Sequence, residues 1–178
     1  MDRVEAWMTT SEILIRTKER SDSHWISELL KAKWASVRIV TRGRIHDATK
    51  LAAFLAIVNG SRAGLITYRV ERRECQIVSL NSLVENMGVG KALLTMVERD
   101  ASSRGCKRIW LVTTNDNTDA LRFYQKRGFR IAALYPGTIR DSRRLKPEIP
   151  MKGLDDIPIL DEIELEKTLG IHQTISPQ

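Results

Sequence analysis

The sequence predicts an α+β fold, with a mixed central β-sheet of about six to seven strands flanked by helices. Two observations predict it. Between residues 38 and 84, short apolar runs are separated by turn residues such as Asn59 and Gly60, which is typical of an antiparallel meander. After residue 84, helical periodicity begins at Gly88 and a compact apolar run follows at 108–112, so a strand, a helix and a parallel strand form one right-handed crossover.

Composition and charge limit the class of protein. The 178 residues are 42% hydrophobic and 29% charged, which suits one globular domain over residues 11–170. We expect a disordered N-terminus at 1–10 and a short tail at 171–178. Without a membrane-length apolar run or a signal segment, we expect a cytoplasmic protein without membrane association. A net charge of +7 favours an anionic partner but leaves nucleic acid, a membrane surface and a phosphorylated cofactor open.

The first half contains one predicted helix and several strands. A cap at residues 21–23 predicts a helix that runs to about Trp34. The predicted strands lie within residues 11–20, 38–42, 50–60, 64–72 and 75–84, and the last two are joined by a turn at residues 72–74.

The second half alternates helices and strands. Apolar residues at helical spacing follow Gly88, and Gly105 ends that helix. A strand at 108–112, a helix that ends at Gly128, a strand at 128–135 and a final strand at 161–169 complete the domain. Residues 138–160 are rich in proline, so we expect a long loop that serves as a lid or binding segment.

The glycine turn "ENMGVG" at residues 85–90 is a candidate phosphate-binding site. A Walker loop would need glycine at Glu85 and a hydroxyl at Ala92, and a dinucleotide-binding turn would need glycine at Leu93. Both are excluded. The unpaired N–H groups of a helix that begins at Gly88 attract anions, although a tight turn without a ligand explains the glycines equally well.

Two sequence blocks resemble the GCN5-related N-acetyltransferase (GNAT) superfamily. Residues 85–90 fit its [RQ]-x-x-G-x-[GA] turn, except that Glu85 replaces the usual Arg or Gln. The more specific block is N-x-x-A-x-x-F-Y-x-x-x-G-F, which is matched in full at residues 117–129. Together with the order of the elements, the resemblance covers residues 12–168 and implies a GNAT fold.

The resemblance implies acetyl-CoA as co-substrate and no metal. It assigns Leu83 and Val84 to backbone pairing with the pantetheine arm. The residues expected to donate N–H groups to the pyrophosphate are Met87, Gly88, Val89, Gly90 and Lys91. Those expected to contact the cofactor from the end of the second crossover strand and from the helix that follows it are Asn115, Asn117, Ala120, Phe123, Tyr124 and Arg127.

Acetyl transfer to an amine calls for a proton acceptor and a proton donor. The resemblance suggests Glu74 as general base, although a hairpin charge paired with Arg72 or Arg73 is the alternative. Tyr124 matches the family's general acid, and its alternative is a core aromatic residue. A backbone N–H near Asn81 to Leu83 would polarise the thioester carbonyl if the strand bulges there.

Substrate-binding candidates are His46, Asn81 and Glu148, since residues 41–51 and the late loop border the acceptor side in this superfamily. The sequence therefore predicts an N-acetyltransferase for a primary amine of a small polar molecule. Cys75 and Cys106 lack metal spacing and do not match an acetyl-carrying position, so direct attack in a ternary complex is expected. A CoA-binding regulatory module without turnover is the alternative. A basic nucleic-acid-binding domain is less favoured, because the arginines at 140–146 lack interleaved aromatics. A homodimer is left open.

Overall fold

A seven-stranded mixed sheet forms the centre of the computed structural model, which describes residues 12–170. The predictions for residues 1–10 and 171–178 lie outside the described residues. The strands are β1 (Ile13–Thr17), β2 (Arg38–Thr41), β3 (Arg44–Asp47), β4 (Ala52–Val58), β5 (Ser61–Glu71), β6 (Glu74–Ser82), β7 (Arg108–Thr114), β8 (Arg130–Tyr135) and β9 (Glu162–Thr168). The sheet order is β1-β4-β5-β6-β7-β9-β8, and β2 pairs with β3 in a separate hairpin. The predicted fold class is confirmed.

Helices cover both faces of this sheet. They are α1 (Ser23–Trp34), α2 (Val89–Ser103), α3 (Thr118–Gln125) and α4 (Ile139–Leu145). On one face α1 packs Ile26 and Leu30 against Leu65 of β5, whereas on the other α2 packs Leu93 against Ile109 of β7. Each fully buried side chain of this size contributes about 1.5–3 kcal/mol of hydrophobic stabilisation. The apolar side chains that form the periodic patterns in the sequence therefore make up most of the interior.

Two segments differ from the prediction. Residues 44–47 form β3, because Arg42 and Gly43 both adopt positive φ (49° and 70°) and close a tight hairpin with β2. The expected loop at 138–160 contains α4, whose seven residues are too few and too polar to show helical periodicity. Ile139 is buried, and the Lys146 ammonium after the helix donates to the Trp34 carbonyl at 2.6 Å. Tertiary contacts therefore stabilise a helix that its own sequence barely favours.

The predicted parallel crossover is confirmed, and its two strands separate halfway along. β6 and β7 pair only from Glu74 with Arg108 to Ile77 with Leu111. Immediately beyond, a β-bulge leaves Val78 without a partner in the β5 register. A bulge bends and twists its strand, so β6 turns away from β7 and a gap opens between them.

Gly64 allows α2 to begin beside this gap. A Cβ atom at position 64 would lie 2.7 Å from Val89 Cγ1 and 2.8 Å from the Asn81 carbonyl oxygen. No real side chain fits at those distances, so the glycine lets the first turn of α2 cross directly over β5. The helix N-terminus consequently lies at the mouth of the gap.

Candidate active site

A cavity of about 710 Å³ occupies the gap between β6 and β7. Its walls come from four regions: β6 and the following turn (77–90), the second half of β7 (111–113), α3 with Arg127, and the end of α1 at Trp34. The strand separation, rather than a surface loop, therefore creates this site. Among the described residues, its only lining carboxylates are Glu85 and Asp119, and both lie exposed or half-exposed at the rim.

The N-terminus of α2 presents free N–H groups to the cavity. The first helical hydrogen bond runs from the Ala92 N–H to the Gly88 carbonyl at 2.9 Å, so the N–H groups of residues 89–91 precede the ladder. Gly88 adopts φ 78°, and no atom lies within 4 Å of the place where its Cβ would be. Open space beside free amides at the positive end of a helix suits a phosphate group.

Only some of the residues predicted to bind a cofactor around this turn line the cavity. Gly88, Val89, Gly90 and Lys91 line the cavity, whereas the half-buried Met87 packs against the core. Leu83 is not among the lining residues, because its N–H donates to the Ala63 carbonyl at 2.8 Å and so faces β5. Val84 does line the cavity. The assignment of Leu83 to backbone pairing with a cofactor is therefore not supported.

The first turns of α3 form a second wall. Asn117 caps the helix by accepting a hydrogen bond from the Ala120 N–H at 3.1 Å, which orients Ala120 and Phe123 toward the cavity. The Arg127 guanidinium stacks on the Phe123 ring at 3.6 Å and donates to the Phe123 carbonyl at 2.7 Å. Its Nε has no partner among the described residues. A half-buried guanidinium whose Nε is a spare, inaccessible donor suits an anionic group in the cavity.

Tyr124 lies on the same wall and is only 5% exposed. Its ring packs edge-to-face against Phe123 and Phe129, with centroids 5.0 and 5.3 Å away. This burial raises the pKa of the phenol well above its ordinary value, and Arg127 opposes the rise only in part. The Tyr124 phenol is therefore neutral at physiological pH.

Asn81 on β6 does not itself line the cavity, but it is held by Trp34, a lining residue that the sequence did not single out. The Trp34 indole Nε1 donates to Asn81 Oδ1 at 3.0 Å. Because an indole N–H can only donate, the hydrogen bond fixes the orientation of the amide and leaves Nδ2 for another acceptor. Asn81 is 8% exposed and its Nδ2 has no partner within the described chain. The Asn81 Nδ2 group is thus an oriented hydrogen-bond donor next to the gap.

The strand bulge lies earlier than the sequence suggested. Asn81 pairs regularly with Leu65, and the irregularity falls at Val78, which lacks a partner both in β5 and in β7. The backbone N–H candidates for polarising a carbonyl therefore move from residues 81–83 to Val78 and Ser79, which line the cavity. Bulges have weak sequence signatures, so only the register could place this one.

Asn115 and Glu148 also lie outside the cavity. The Asn115 side chain donates to the Pro158 carbonyl at 2.9 Å and accepts from the N–H groups of Leu160 and Asp161 at 2.9 and 3.0 Å. Its amide thus fastens the segment before β9, and a cofactor role is not supported. Glu148 is exposed after α4 and lines none of the cavities described here.

Glu74 and His46 line a different cavity of about 570 Å³, on the α1 face of the sheet. Glu74 is bound by Arg108 at 3.3 Å, at the end of β6 opposite the gap. The buried His46 ring contacts the Thr41 hydroxyl at 2.9 Å, and Thr41 in turn accepts from Gln76 at 3.0 Å. Burial, and then the charges of Arg69 and Arg44, lower the pKa of His46 to about 4, so its ring is neutral.

Neither cysteine faces the gap. Cys75 and Cys106 are both buried and unbridged in the core on the α2 face. Burial raises the pKa of Cys75 to about 12 and also raises that of Cys106, so neither is a ready nucleophile. Over residues 12–170, no cluster of three metal-ligating side chains occurs, and no helix has the length and apolarity needed to cross a membrane.

Solved structures share this architecture. An IAA acetyltransferase from Bacillus cereus ATCC 14579 superposes with a TM-score of 0.66 and 17% identity, over 89% of this chain and all of the other. A GNAT family acetyltransferase from Elizabethkingia anophelis, solved with acetyl-CoA bound, gives 0.65 and 21% over 88% of this chain and 98% of its own. At such identities the likeness shows the fold, which is that of acetyltransferases.

Sequence comparison defines the family. The model of the acetyltransferase (GNAT) family matches residues 7–129. The uncharacterized protein YdhI of Bacillus subtilis (strain 168) is 40% identical over 147 residues, which cover 82% of this chain and 92% of YdhI. The chain therefore belongs to the acetyltransferase (GNAT) family and is an acyltransferase. The resemblance carried by residues 85–90 and 117–129 is confirmed.

Proposed function

We propose that this protein transfers the acetyl group of acetyl-CoA to a primary amine of a small polar molecule. The observation that carries the proposal is the open gap between β6 and β7, which has the free N–H groups of α2 at its mouth and neutral Tyr124 on its wall. Acetyl-CoA, when bound, supplies an acetyl group activated as a thioester, which the amine attacks directly in a ternary complex.

The residues present fit a CoA thioester. The α2 N-terminus, with Gly88 to Lys91, would hold the pyrophosphate, and the spare Nε of Arg127 would add a charged donor. Val84, with Asn117, Ala120 and Phe123, would border the pantetheine arm. Hydrogen-bond donors thus lie where the pyrophosphate would be, and a largely apolar surface borders the pantetheine arm. Gly88 leaves the space that a phosphate needs.

Tyr124 is proposed as the general acid. Its hydroxyl stays protonated because burial raises its pKa, so it holds a proton for the departing thiolate. Val78 and Ser79, at the bulge, are proposed to polarise the acetyl carbonyl through their backbone. Asn81 Nδ2 is proposed to donate to the acceptor, since it is a buried donor on the β6 side of the gap and lacks a partner within residues 12–170.

Within residues 12–170, the carboxylates that line the gap, Glu85 and Asp119, are exposed, and neither is proposed as general base. Glu74 is bound by Arg108 at the far end of β6, so we do not propose it as the base. An amine with the pKa of lysine is about one part in a thousand neutral at pH 7, so selecting the free base costs roughly 4–5 kcal/mol. The proposed reaction therefore accelerates with rising pH until the amine is deprotonated.

Direct attack is favoured over an acetylated enzyme. Cys75 and Cys106 are buried with raised pKa values and line the core rather than the gap. A cysteine that carried the acetyl group would have to be an accessible thiolate. We therefore propose that no acetylated cysteine forms during the reaction.

Thermal unfolding with acetyl-CoA, CoA, ATP and NAD, followed by an amine panel with detection of released thiol, tests the proposal. A ligand at a hundred times its Kd adds about 2.7 kcal/mol and raises Tm by several degrees. Shifts with both CoA species, together with amine-dependent thiol release, support the proposal. A shift without thiol release for any amine would indicate a binding module, and no shift with either CoA species would overturn the proposal entirely.

A further inference from the structure

The second cavity, of about 570 Å³, is lined by an unusual excess of positive charge. Four arginines line it, Arg42, Arg44, Arg69 and Arg72, together with Glu71, Glu74 and Trp110. We call it the arginine cavity. It is formed by the β2–β3 hairpin and the adjoining ends of β5, β6 and β7.

The carboxylates do not neutralise all four arginines. Arg42 is paired with Glu164 at 3.1 Å, a carboxylate that does not line the cavity. Glu71 is shared by Arg69 and Arg44, the latter at 3.3 Å. Glu74 is bound by Arg108, which does not line the cavity. Arg72 has no carboxylate within 4.0 Å among residues 12–170, although it faces the same space. At least one guanidinium charge therefore lacks a counter-ion.

The buried groups around the cavity respond to this charge. Burial and the neighbouring Arg44 lower the pKa of Arg69, and Arg69 with Arg44 adds to the burial that lowers the pKa of His46. Neutral His46 then holds the Thr41 hydroxyl, which accepts from Gln76 on the cavity floor. The floor is thus uncharged and ordered, and the positive charge is concentrated on the arginine side chains around it.

The arginine cavity adjoins the gap between β6 and β7. Gln76 and Trp110 pair across the two strands and line the arginine cavity, and the next pair, Ile77 with Leu111, lines the gap. Gln76 and Val78 both face the α1 side of the sheet, about 6–7 Å apart along the strand. The two cavities share no lining residue, but this spacing matches a short molecule that places one end at the bulge at Val78 and the other among the arginines.

We propose that the arginine cavity binds the anionic end, a carboxylate or a phosphate, of an acceptor whose primary amine enters the gap at Val78. Guanidinium groups bind both anions through paired N–H donors, and the Trp110 indole covers the connecting carbon chain. This inference rests on the proposed function, and it narrows the acceptor from a small polar amine to a short amine with an acidic terminus.

Three acceptors of equal length test the charge requirement: aminocaproate, aminopentylphosphonate and the neutral aminohexanol. The double variant Arg44→Gln/Arg72→Gln removes two exposed guanidinium groups from the cavity. The control Arg99→Gln/Arg140→Gln removes the same charge from exposed arginines on α2 and α4. Steady-state kinetics is combined with calorimetric titration of each acceptor into the enzyme saturated with CoA.

For the wild type we expect kcat/KM for at least one anionic acceptor to exceed that for aminohexanol about tenfold, the effect of one charge-assisted hydrogen bond. The cavity variant should lose this preference while its rate with aminohexanol and that of the control stay unchanged. A preference for the phosphonate over the carboxylate, or the reverse, identifies which anion the acceptor carries.

The outcomes separate this inference from the proposed function. Equal rates with all three acceptors in the wild type would overturn the arginine cavity proposal and leave amine acetylation intact. An equal loss with aminohexanol in the cavity variant would also overturn it. If none of the acceptors is acetylated but calorimetry shows anionic binding that the cavity variant loses, the anion site stands and the proposed acetyl transfer fails. Without either signal, both fail.

Discussion

The indole N–H of Trp34, the last residue of α1, donates to the side-chain oxygen of Asn81 on β6 at 3.0 Å. This hydrogen bond joins the end of a helix to the wall of the strand gap, and it leaves the Asn81 amide nitrogen without a partner. Lys146 after α4 extends the chain of contacts by donating to the Trp34 carbonyl at 2.6 Å. Three separate parts of the chain thus hold one buried donor in place.

Trp34→Phe should lower the free energy of unfolding by about 1–3 kcal/mol, because it leaves both polar atoms of a buried amide without a protein partner. Urea unfolding monitored by circular dichroism measures the change. Trp25→Phe on the same helix is the control, since its ring contacts the Arg62 guanidinium at 5.6 Å but makes no hydrogen bond to Asn81. Equal losses in the two variants would contradict a specific role for the indole N–H.

Tyr124→Phe should lower kcat about 100-fold, since a positioned general acid contributes at least that factor. The Kd for acetyl-CoA should change little, because the ring and its contacts with Phe123 and Phe129 are retained. Rapid measurement of thiol release gives kcat, and titration gives Kd. Tyr135→Phe, which removes a hydroxyl bound to Glu164 at 2.9 Å, serves as control. Unchanged kcat in Tyr124→Phe would exclude the phenol as the acid.

In His46→Gln, the free energy of unfolding should fall less between pH 7 and pH 5 than it does in the wild type. The pKa of His46 is lowered from 6.5 to about 4, so the unfolded chain takes up this proton at a higher pH than the folded protein does. Stability contributed by the neutral ring is complete above pH 6.5 and falls as pH decreases toward 4, by about 2 kcal/mol at pH 5. Chemical unfolding at pH 7 and pH 5 measures this dependence, with His24→Gln as the exposed control. A wild type whose stability does not change over this interval would contradict the assignment.

Asp22→Asn should destabilise the protein by about 2–3 kcal/mol at neutral pH. The buried carboxylate accepts from Arg16 at 2.7 Å, from Arg62 at 2.9 Å and from the Glu19 N–H at 2.9 Å, which ties the start of α1 to β1 and β5. Loss of the Asp22 charge leaves the positive charges of Arg16 and Arg62 without their counter-ion.

The same residue should also control acid unfolding. Hydrogen bonding to Arg16 holds the pKa of Asp22 well below its usual range. Its contribution is therefore present above the unfolded pKa, near 4, and is lost as pH falls toward the folded pKa. Unfolding scans between pH 5 and pH 2 should show a shallower decline in Asp22→Asn than in the wild type. Glu28→Gln, in a fully exposed pair with Lys31, is the control and should change the slope much less, because solvent screens this pair.

Local patterns were sufficient to predict much of this molecule. Helical spacing after Gly88 predicted α2, the apolar run at 108–112 predicted β7, and the turns at Asn59-Gly60 and Arg72–Glu74 predicted the hairpins that the structure contains. Family-specific residues such as Phe123, Tyr124 and Gly128 predicted the acyltransferase class. These features depend on side chains close together in sequence, where periodicity and capping are directly visible.

Nonlocal geometry decided the rest. Whether Leu83 or Val84 faces the gap depends on which neighbour accepts each N–H, and whether Glu74 is near the chemistry depends on where β6 and β7 separate. The Val78 bulge, the partner of Asn81 and the arginine cavity all arise from residues distant in sequence. The amino-acid sequence by itself therefore determined most of the elements, because these follow from short-range preference, and it indicated the family through the residues that carry the resemblance. Only the tertiary structure decided which side chains share the gap, because strand register is set by packing across the whole sheet.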